Sequence, residues 1–224
     1  MKRAFAVCAA ALLSAFSAQA QIEFSTGYVY AITNDSSVAE DGYKTSEFSS
    51  FHGFYLCTLG SVKLPYGLSF KHAVSYSYLI GHETNFLNIC KDPRYTVVND
   101  TGDVVTYEHY LRVPLYFAFD FQLVDNLLGY GYFGPALSYC LSSKSYATWP
   151  NIQGTNHWNV DHFAKDTNYN GYKRFDVMLL SGVGFEVLKR VKLDFGGAYG
   201  LLDRSESSGN LHYFTWHIGL SIMI

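Results

Sequence analysis

Two consecutive stretches between Arg174 and Leu201 alternate strictly between two kinds of side chain. In the first, Phe175, Val177, Leu179, Val183, Phe185 and Val187 fall on one parity, with Arg174, Asp176, Gly182, Gly184 and Glu186 on the other. In the second, Val191, Leu193, Phe195, Tyr199 and Leu201 alternate with Lys192, Asp194, Gly196, Ala198 and Gly200. Leu111, Val113, Leu115, Phe117, Phe119 and Phe121 repeat the pattern against Arg112, Tyr116, Ala118 and Asp120. A period of two puts successive side chains on opposite faces of a strand, which a helix cannot do. One face is bulky and apolar; the other is small, glycine-rich and charged. A soluble sandwich packs its apolar face on a second sheet and leaves the other face to water. Faces this bulky, set against a crowded charged face, suit the inverse arrangement of a barrel in lipid, apolar outside and polar inside. Closure is then required, because an open sheet edge in hydrocarbon leaves backbone groups without partners.

Composition agrees. Of the residues 49% are hydrophobic and 17% aromatic, with 19 Tyr and 17 Phe. After residue 20 no apolar run approaches the roughly 20 residues that a membrane helix requires. The first segment has the form of a secretory signal. Lys2 and Arg3 precede an apolar run to Phe16, and Ala18-Gln19-Ala20 supplies the small residues of a cleavage site. The expected division is therefore a signal peptide at 1–20 and one barrel domain at 21–224. Lys2 and Arg3 are the charged residues of that leader, so the mature chain is more acidic than the full chain's −3. That balance excludes a basic nucleic-acid-binding face. Cys57, Cys90 and Cys140 remain after cleavage, widely and irregularly spaced, which is neither a disulfide framework nor a zinc site. Cys57 and Cys140 fall in strands as small residues, and Cys90 in a long loop.

The periodicity predicts eight strands, at 22–31, 51–63, 68–80, 107–121, 129–142, 174–187, 191–201 and 211–223. The expected fold is all-β: a closed eight-stranded antiparallel transmembrane β-barrel. Its connections alternate between long ones at 32–50, 81–106, 143–173 and 202–210 and short ones at 64–67, 122–128 and 188–190. Long extracellular loops and short periplasmic turns give this asymmetry. Strand two leaves its register open, because Phe51, Tyr55 and Leu59 compete with Phe54, Leu56 and Val62 for the outer face.

Several segments carry a family resemblance: Tyr110-Leu111-Arg112-Val113-Pro114-Leu115, Tyr132-Phe133-Gly134-Pro135-Ala136-Leu137-Ser138-Tyr139, Gly182-Val183-Gly184-Phe185-Glu186-Val187, Leu193-Asp194-Phe195-Gly196-Gly197-Ala198-Tyr199-Gly200-Leu201 and the terminal His217-Ile218-Gly219-Leu220-Ser221-Ile222. From Tyr110 onward the chain resembles the small outer-membrane β-barrels often labelled porin-family or PorT-like. The resemblance implies the barrel and the compartment, the outer membrane of a Gram-negative envelope, and little about mechanism.

The inward parity collects Lys71, Arg112, Asp120, Arg174, Asp176, Glu186, Lys192 and Asp194, a balanced set expected to pair and fill a small lumen as a structural network. No catalytic, cofactor-binding or metal-ligating residue is assigned. Gly182-Val183-Gly184 and Gly196-Gly197 lie inside strands, without the strand-to-helix turn of a dinucleotide site. His157, Asp161 and His162 match no specific metal spacing, and Asp100-Thr101-Gly102-Asp103 is a turn lacking the remaining calcium-loop ligands. Of the Ser–His pairs, His72 and Ser75 have opposite parity, while His217 and Ser221 share a face without an acidic orienter. The expectation is a non-enzymatic integral outer-membrane protein with an envelope structural or loop-mediated interaction role. A small channel and a lipid-modifying enzyme are the alternatives. The expected partners are outer-membrane lipids, the barrel-insertion machinery during biogenesis, and an unidentified extracellular or envelope partner.

Overall fold

The computed structural model describes residues 21–38, 44–84, 103–151, 154–164, 172–187, 190–206 and 210–223. The proposed leader, Cys90 and residues 100–102 lie outside them. Strands β1 (Gln21–Val38), β2 (Lys44–Lys63), β3 (Leu68–Thr84), β4 (Asp103–Val124), β5 (Leu127–Asn151), β6 (Gly154–Asp161), β7 (Phe175–Val187), β8 (Val191–Gly200) and β9 (Asn210–Met223) form one antiparallel sheet. Its order is β4-β3-β2-β1-β9-β8-β7-β5-β6, and the further pairing of β4 with β5 closes eight strands into a ring. β6 stands outside that ring, attached among the described residues to β5 alone.

Each strand alternates as its sequence demands. Phe175, Leu179, Val183, Phe185 and Val187 on β7 are exposed, as are Val191, Leu193, Phe195 and Tyr199 on β8, while Asp176, Met178, Leu180 and Lys192 are buried. β2 takes the register that the sequence leaves open: Phe54 and Leu56 face out, and Phe51 and Tyr55 face in. Its neighbours decide this, since Phe54 stands opposite Tyr28 of β1 and Tyr78 of β3 on the outer wall.

The lumen is filled by large side chains set over small ones. A Cβ on Gly182 would meet Tyr132 at 2.3 Å, and one on Gly184 would meet Tyr130 at 2.3 Å. The inward glycines of β7 are thus the hollows into which the β5 tyrosines fit. The first two short connections are tight turns. Tyr66 and Gly67 take φ of 64° and 75° after β2, and Asn126 takes 66° in the two-residue turn between β4 and β5. Asn and Gly tolerate that left-handed region.

One expectation is corrected. The segment 143–173 was expected as a single long loop, but β5 runs on to Asn151 and returns as β6, pairing from Lys144↔Asp161 to Asn151↔Gly154. Its strand character is hidden because above the membrane no apolar face is needed. β1 and β2 likewise pair beyond their expected ends, from Ile32↔Ser50 to Val38↔Lys44.

Candidate functional site

The inward charges lie in two layers separated by a cavity. In the layer nearer the short turns, Lys192 pairs with Glu23 of β1 and lies 3.4 Å from Glu186 Oε2. Lys71 sits 4.6 Å above the Tyr130 ring, within the charge influence of Lys192 and of the carboxylates of Glu23, Asp120 and Glu186. Tyr55 Oη donates to Asp194 at 3.4 Å and shares a 3.2 Å hydrogen bond with Ser25 Oγ.

The layer nearer the long connections is built on Glu108, which is 0% exposed. Its carboxylate accepts hydrogen bonds from Tyr110 at 2.8 Å, Ser143 at 2.9 Å and Tyr213 at 2.9 and 3.0 Å. Arg204 comes down onto this group from the β8–β9 connection. Its Nη1 donates to Tyr110 Oη at 2.7 Å and its Nε to the Lys173 carbonyl at 2.9 Å. Its guanidinium lies 4.6 Å from the Tyr213 ring centre. Tyr110 thus receives from Arg204 and donates to Glu108, a relay of charge-assisted bonds in a low-dielectric setting. Asp203 fixes the segment that carries Arg204, accepting the backbone N–H groups of Ser205 and Leu211, both at 2.9 Å. Desolvation, the largest single influence, pushes the Asp203 carboxyl up, but these two donors with Lys173 and His212 together outweigh it and hold it below the usual range.

The expected inward set therefore divides. Lys71, Asp120, Glu186, Lys192 and Asp194 belong to the lower layer. Asp176 is buried beneath the upper one and accepts the Leu202 N–H at 3.1 Å. Arg112 lines the cavity between them. Arg174 stands apart, just before β7 on the side of the long connections. Its guanidinium lies 3.9 Å from the Phe163 ring centre and donates to the Cys140 and Leu141 carbonyls at 3.2 and 2.7 Å. Glu23, Glu108 and Arg204 complete the layers and were not among the expected residues. Glu23 and Glu108 sit on the inward parity of their strands, so alternation alone could have found them. Arg204 follows no periodicity and carries no such signal.

Between β5 and the end of β6, Ser145 Oγ bonds both Thr106 Oγ1 and His162 Nε2, each at 2.7 Å. His162 stacks on Tyr172 with centroids 4.5 Å apart and planes at 5°. Burial pushes this imidazole below its ordinary range. Among the described residues no carboxylate hydrogen-bonds His162, so the pair lacks the orienting group of a nucleophilic triad. His157 is turned away toward Thr148, at 3.4 Å. His72 stacks on Phe70 on the outer wall, whereas Ser75 faces the cavity. His217 bonds Tyr132 Oη at 3.0 Å. Cys140 is buried among the core residues, with Cys57 packed against them.

On the outside, a belt of Phe, Leu, Val and Ile gives way toward the long connections to tyrosine and histidine. Tyr28 bonds His52, Tyr76 Oη lies 2.6 Å from His109 Nδ1, and Tyr199 stacks on His212 at 5.8 Å. Such amphipathic rings mark the height where hydrocarbon meets headgroups.

The family model described as outer membrane protein beta-barrel domain matches residues 6–223. Among solved structures, the chain is similar to Ail, the attachment invasion locus protein of Yersinia pestis, in complex with the heparin analogue sucrose octasulfate. That match has 17% identity and a TM-score of 0.40, covering 91% of this chain and 99% of that one. It is also similar to Neisserial surface protein A, at 16% identity and a TM-score of 0.40, covering 90% and 97%. The N-terminal β-barrel domain of Pseudomonas aeruginosa OprF follows at 10% identity and a TM-score of 0.32, covering 92% and 100%. Among curated proteins, none matches this sequence.

Proposed function

The chain belongs to the outer membrane protein β-barrel domain family, and on that premise we propose that it is a non-enzymatic, non-conducting barrel whose external β5–β6 hairpin holds a partner at the cell surface. The observation that carries this is the edge of β6. β5 leaves the ring and pairs with β6, and among the described residues β6 pairs with no other strand. An unpaired edge offers backbone donors and acceptors to an extended segment of another protein. The hairpin is rooted rather than loose, since Ser143 bonds Glu108 and Ser145 bonds His162. A rooted edge binds with less ordering cost than a free loop.

The rest of the molecule supports the same reading. Two layers of paired charge cross the lumen, and an eight-stranded ring leaves room inside for little but side chains. The apolar belt and its tyrosine–histidine rim suit outer-membrane lipid as the surrounding partner, reached after export on a cleaved leader and delivery by barrel-insertion machinery. The acidic balance offers nothing to nucleic acid.

The test replaces residues 149–156 by an Asn-Gly turn, and separately places a photo-crosslinker at the exposed Asn159. In intact cells the crosslinker is expected to capture one discrete partner, and the shortened hairpin to lose it while the barrel keeps its heat-modifiable gel mobility. A shortened protein that retains the partner, or crosslinks made equally well from the Tyr66 turn, would overturn the hairpin as the binding element.

A further inference from the structure

Midway along the lumen, between the two charge layers, lies a cavity of about 120 Å³. Its lower end reaches Glu23, Lys71 and Asp194 of the lower layer, and beyond them Ser75, Ser77 and Arg112 share the wall with Val29, Ala136, Met178 and Leu180. Ser75 stands directly opposite Arg112 across the β3–β4 ladder, and Ser77 opposite Tyr110.

Two polar atoms on this wall are buried without a hydrogen-bond partner, Arg112 Nε and Ser77 Oγ. The guanidinium of Arg112 rests 5.2 Å from the Tyr110 ring centre, and among the described residues no carboxylate pairs with it. The carboxylates whose charge reaches it, Asp176 and Glu108, are engaged elsewhere. Asp176 accepts from Leu202, and both oxygens of Glu108 accept from Tyr110, Ser143 and Tyr213. Arg204, a like charge, also faces it. Of the other inward cations, Lys192 has Glu23 and Glu186, Lys71 lies over the Tyr130 ring, and Arg204 donates to Tyr110 and Lys173 although its Nη2 also lacks a partner. A buried N–H or hydroxyl left without an acceptor is costly, and native interiors rarely keep one so.

The geometry points to a binding site for a small organic carboxylate in this cavity, its charged end held by Arg112, Ser75 and Ser77 and its short aliphatic body by Val29, Ala136 and Met178. A carboxylate supplies acceptors only, which is what three donors and an unpaired positive charge require. Inorganic anions match the donors but leave the aliphatic half of the wall against a hydrated surface. The cavity size limits the ligand to a few carbons. The ligand reaches the cavity past the charge layers, during folding or by their excursions. The site is independent of the β5–β6 hairpin and stands whether or not the hairpin has a partner.

The test uses the full mature chain, labelled with ¹⁵N-arginine and refolded into detergent with propionate, with the neutral isostere propionamide, or with chloride alone. The Arg112 Nε–H resonance is identified by its loss in Arg112→Lys. Propionate is expected to move that resonance and to raise the thermal midpoint, with a gain that grows as the logarithm of its concentration. Propionamide is expected to do neither. Ser77→Ala should retain the fold and need a several-fold higher propionate concentration for the same gain, which keeps the test valid if Arg112→Lys fails to fold. The proposal is overturned if propionate leaves the resonance in place, as it would in a site holding water only. It is equally overturned if propionamide acts as propionate does, or if Ser77→Ala responds at the wild-type concentration.

Discussion

Glu186 and Lys192 stand directly opposite one another across the turn that joins β7 to β8, with Nζ 3.4 Å from Oε2 inside the lumen. Parity on two separate strands brings them together, since Val187 and Val191 pair on the outer wall one step nearer the turn. Lys192 also reaches Glu23 of β1, passing the small Ser221 of β9 that lies opposite it. One cation thereby ties the beginning of the ring to its end.

Removing that cation strands two carboxylates. Lys192→Met is expected to cost about 3–5 kcal/mol in urea unfolding of the refolded protein, the usual penalty for an uncompensated buried charge. Adding Glu23→Gln should recover part of the loss. A cost under ~1 kcal/mol, typical of exposed pairs, would show the layer to be open to water.

Close backbone approach separates the glycines. A Cβ on Gly53 would meet the Tyr78 carbonyl oxygen at 1.8 Å, whereas on Gly131 the nearest atom is 4.0 Å away. Gly53→Ala should therefore destabilise the barrel by at least the roughly 1–3 kcal/mol of an overpacked core, and Gly131→Ala should be close to neutral. Comparing their heat-modifiability decides the point, and equal behaviour would mean that β2 and β3 lie further apart.

In planar bilayers the purified protein is expected to show no steady conductance, because Glu108 with Arg204 and Lys192 with Glu23 each cross the lumen. Phospholipid and lipid A incubated with it should be recovered unchanged. Reproducible single-channel steps would argue for solute passage, and deacylation lost in His162→Ala would revive the Ser145 pair as catalytic.

The β5–β6 root should weaken in mild acid. Burial lowers the His162 pKa below its unfolded value, so the folded form prefers neutral imidazole. The stabilisation is complete above the unfolded histidine value of about 6.5 and is lost as pH falls below it. Amide exchange at Ser145 is expected to quicken, beyond its intrinsic pH dependence, as the pH is lowered through that range. His162→Gln should abolish the extra acceleration. An unchanged acceleration in that variant would place the sensitive group elsewhere.

Processing and placement give the simplest check. With Ala18-Gln19-Ala20 as the cleavage signal, the mature chain should begin at Gln21 and fractionate with the outer membrane. Recovery in the soluble periplasm with that same start would contradict the membrane placement.

Much of the barrel was legible because lipid imposes one rule on every residue that crosses it. Outward positions such as Phe185, Leu193 and Ile218 must be apolar, so parity is written into the sequence of β7, β8 and β9. β2 was not legible alone, since Phe51 and Tyr55 are as apolar as Phe54 and Leu56. Its face was chosen by the strands on either side. The inward charges followed parity as far as Lys71, Arg112, Asp120, Asp176, Glu186, Lys192 and Asp194. Arg174 fell outside the rule, because it sits where the strand ends and a loop aromatic, Phe163, becomes its neighbour.

By itself the sequence determined the strand alternation, the eight-stranded ring and the sign of each face outside β2, because those depend on nearest neighbours along a strand and on the solvent outside. Only the tertiary structure decided which charges meet. Glu108 and Arg204 are far apart in the chain, and their link through Tyr110 depends on how a loop folds back over a ring whose register is set by eight pairings at once. The same holds for Arg112 and Ser77, whose missing partners exist only because closure encloses them around a shared cavity. Local periodicity reports the face on which a side chain lies; the curvature and stagger of the closed sheet determine what stands opposite it.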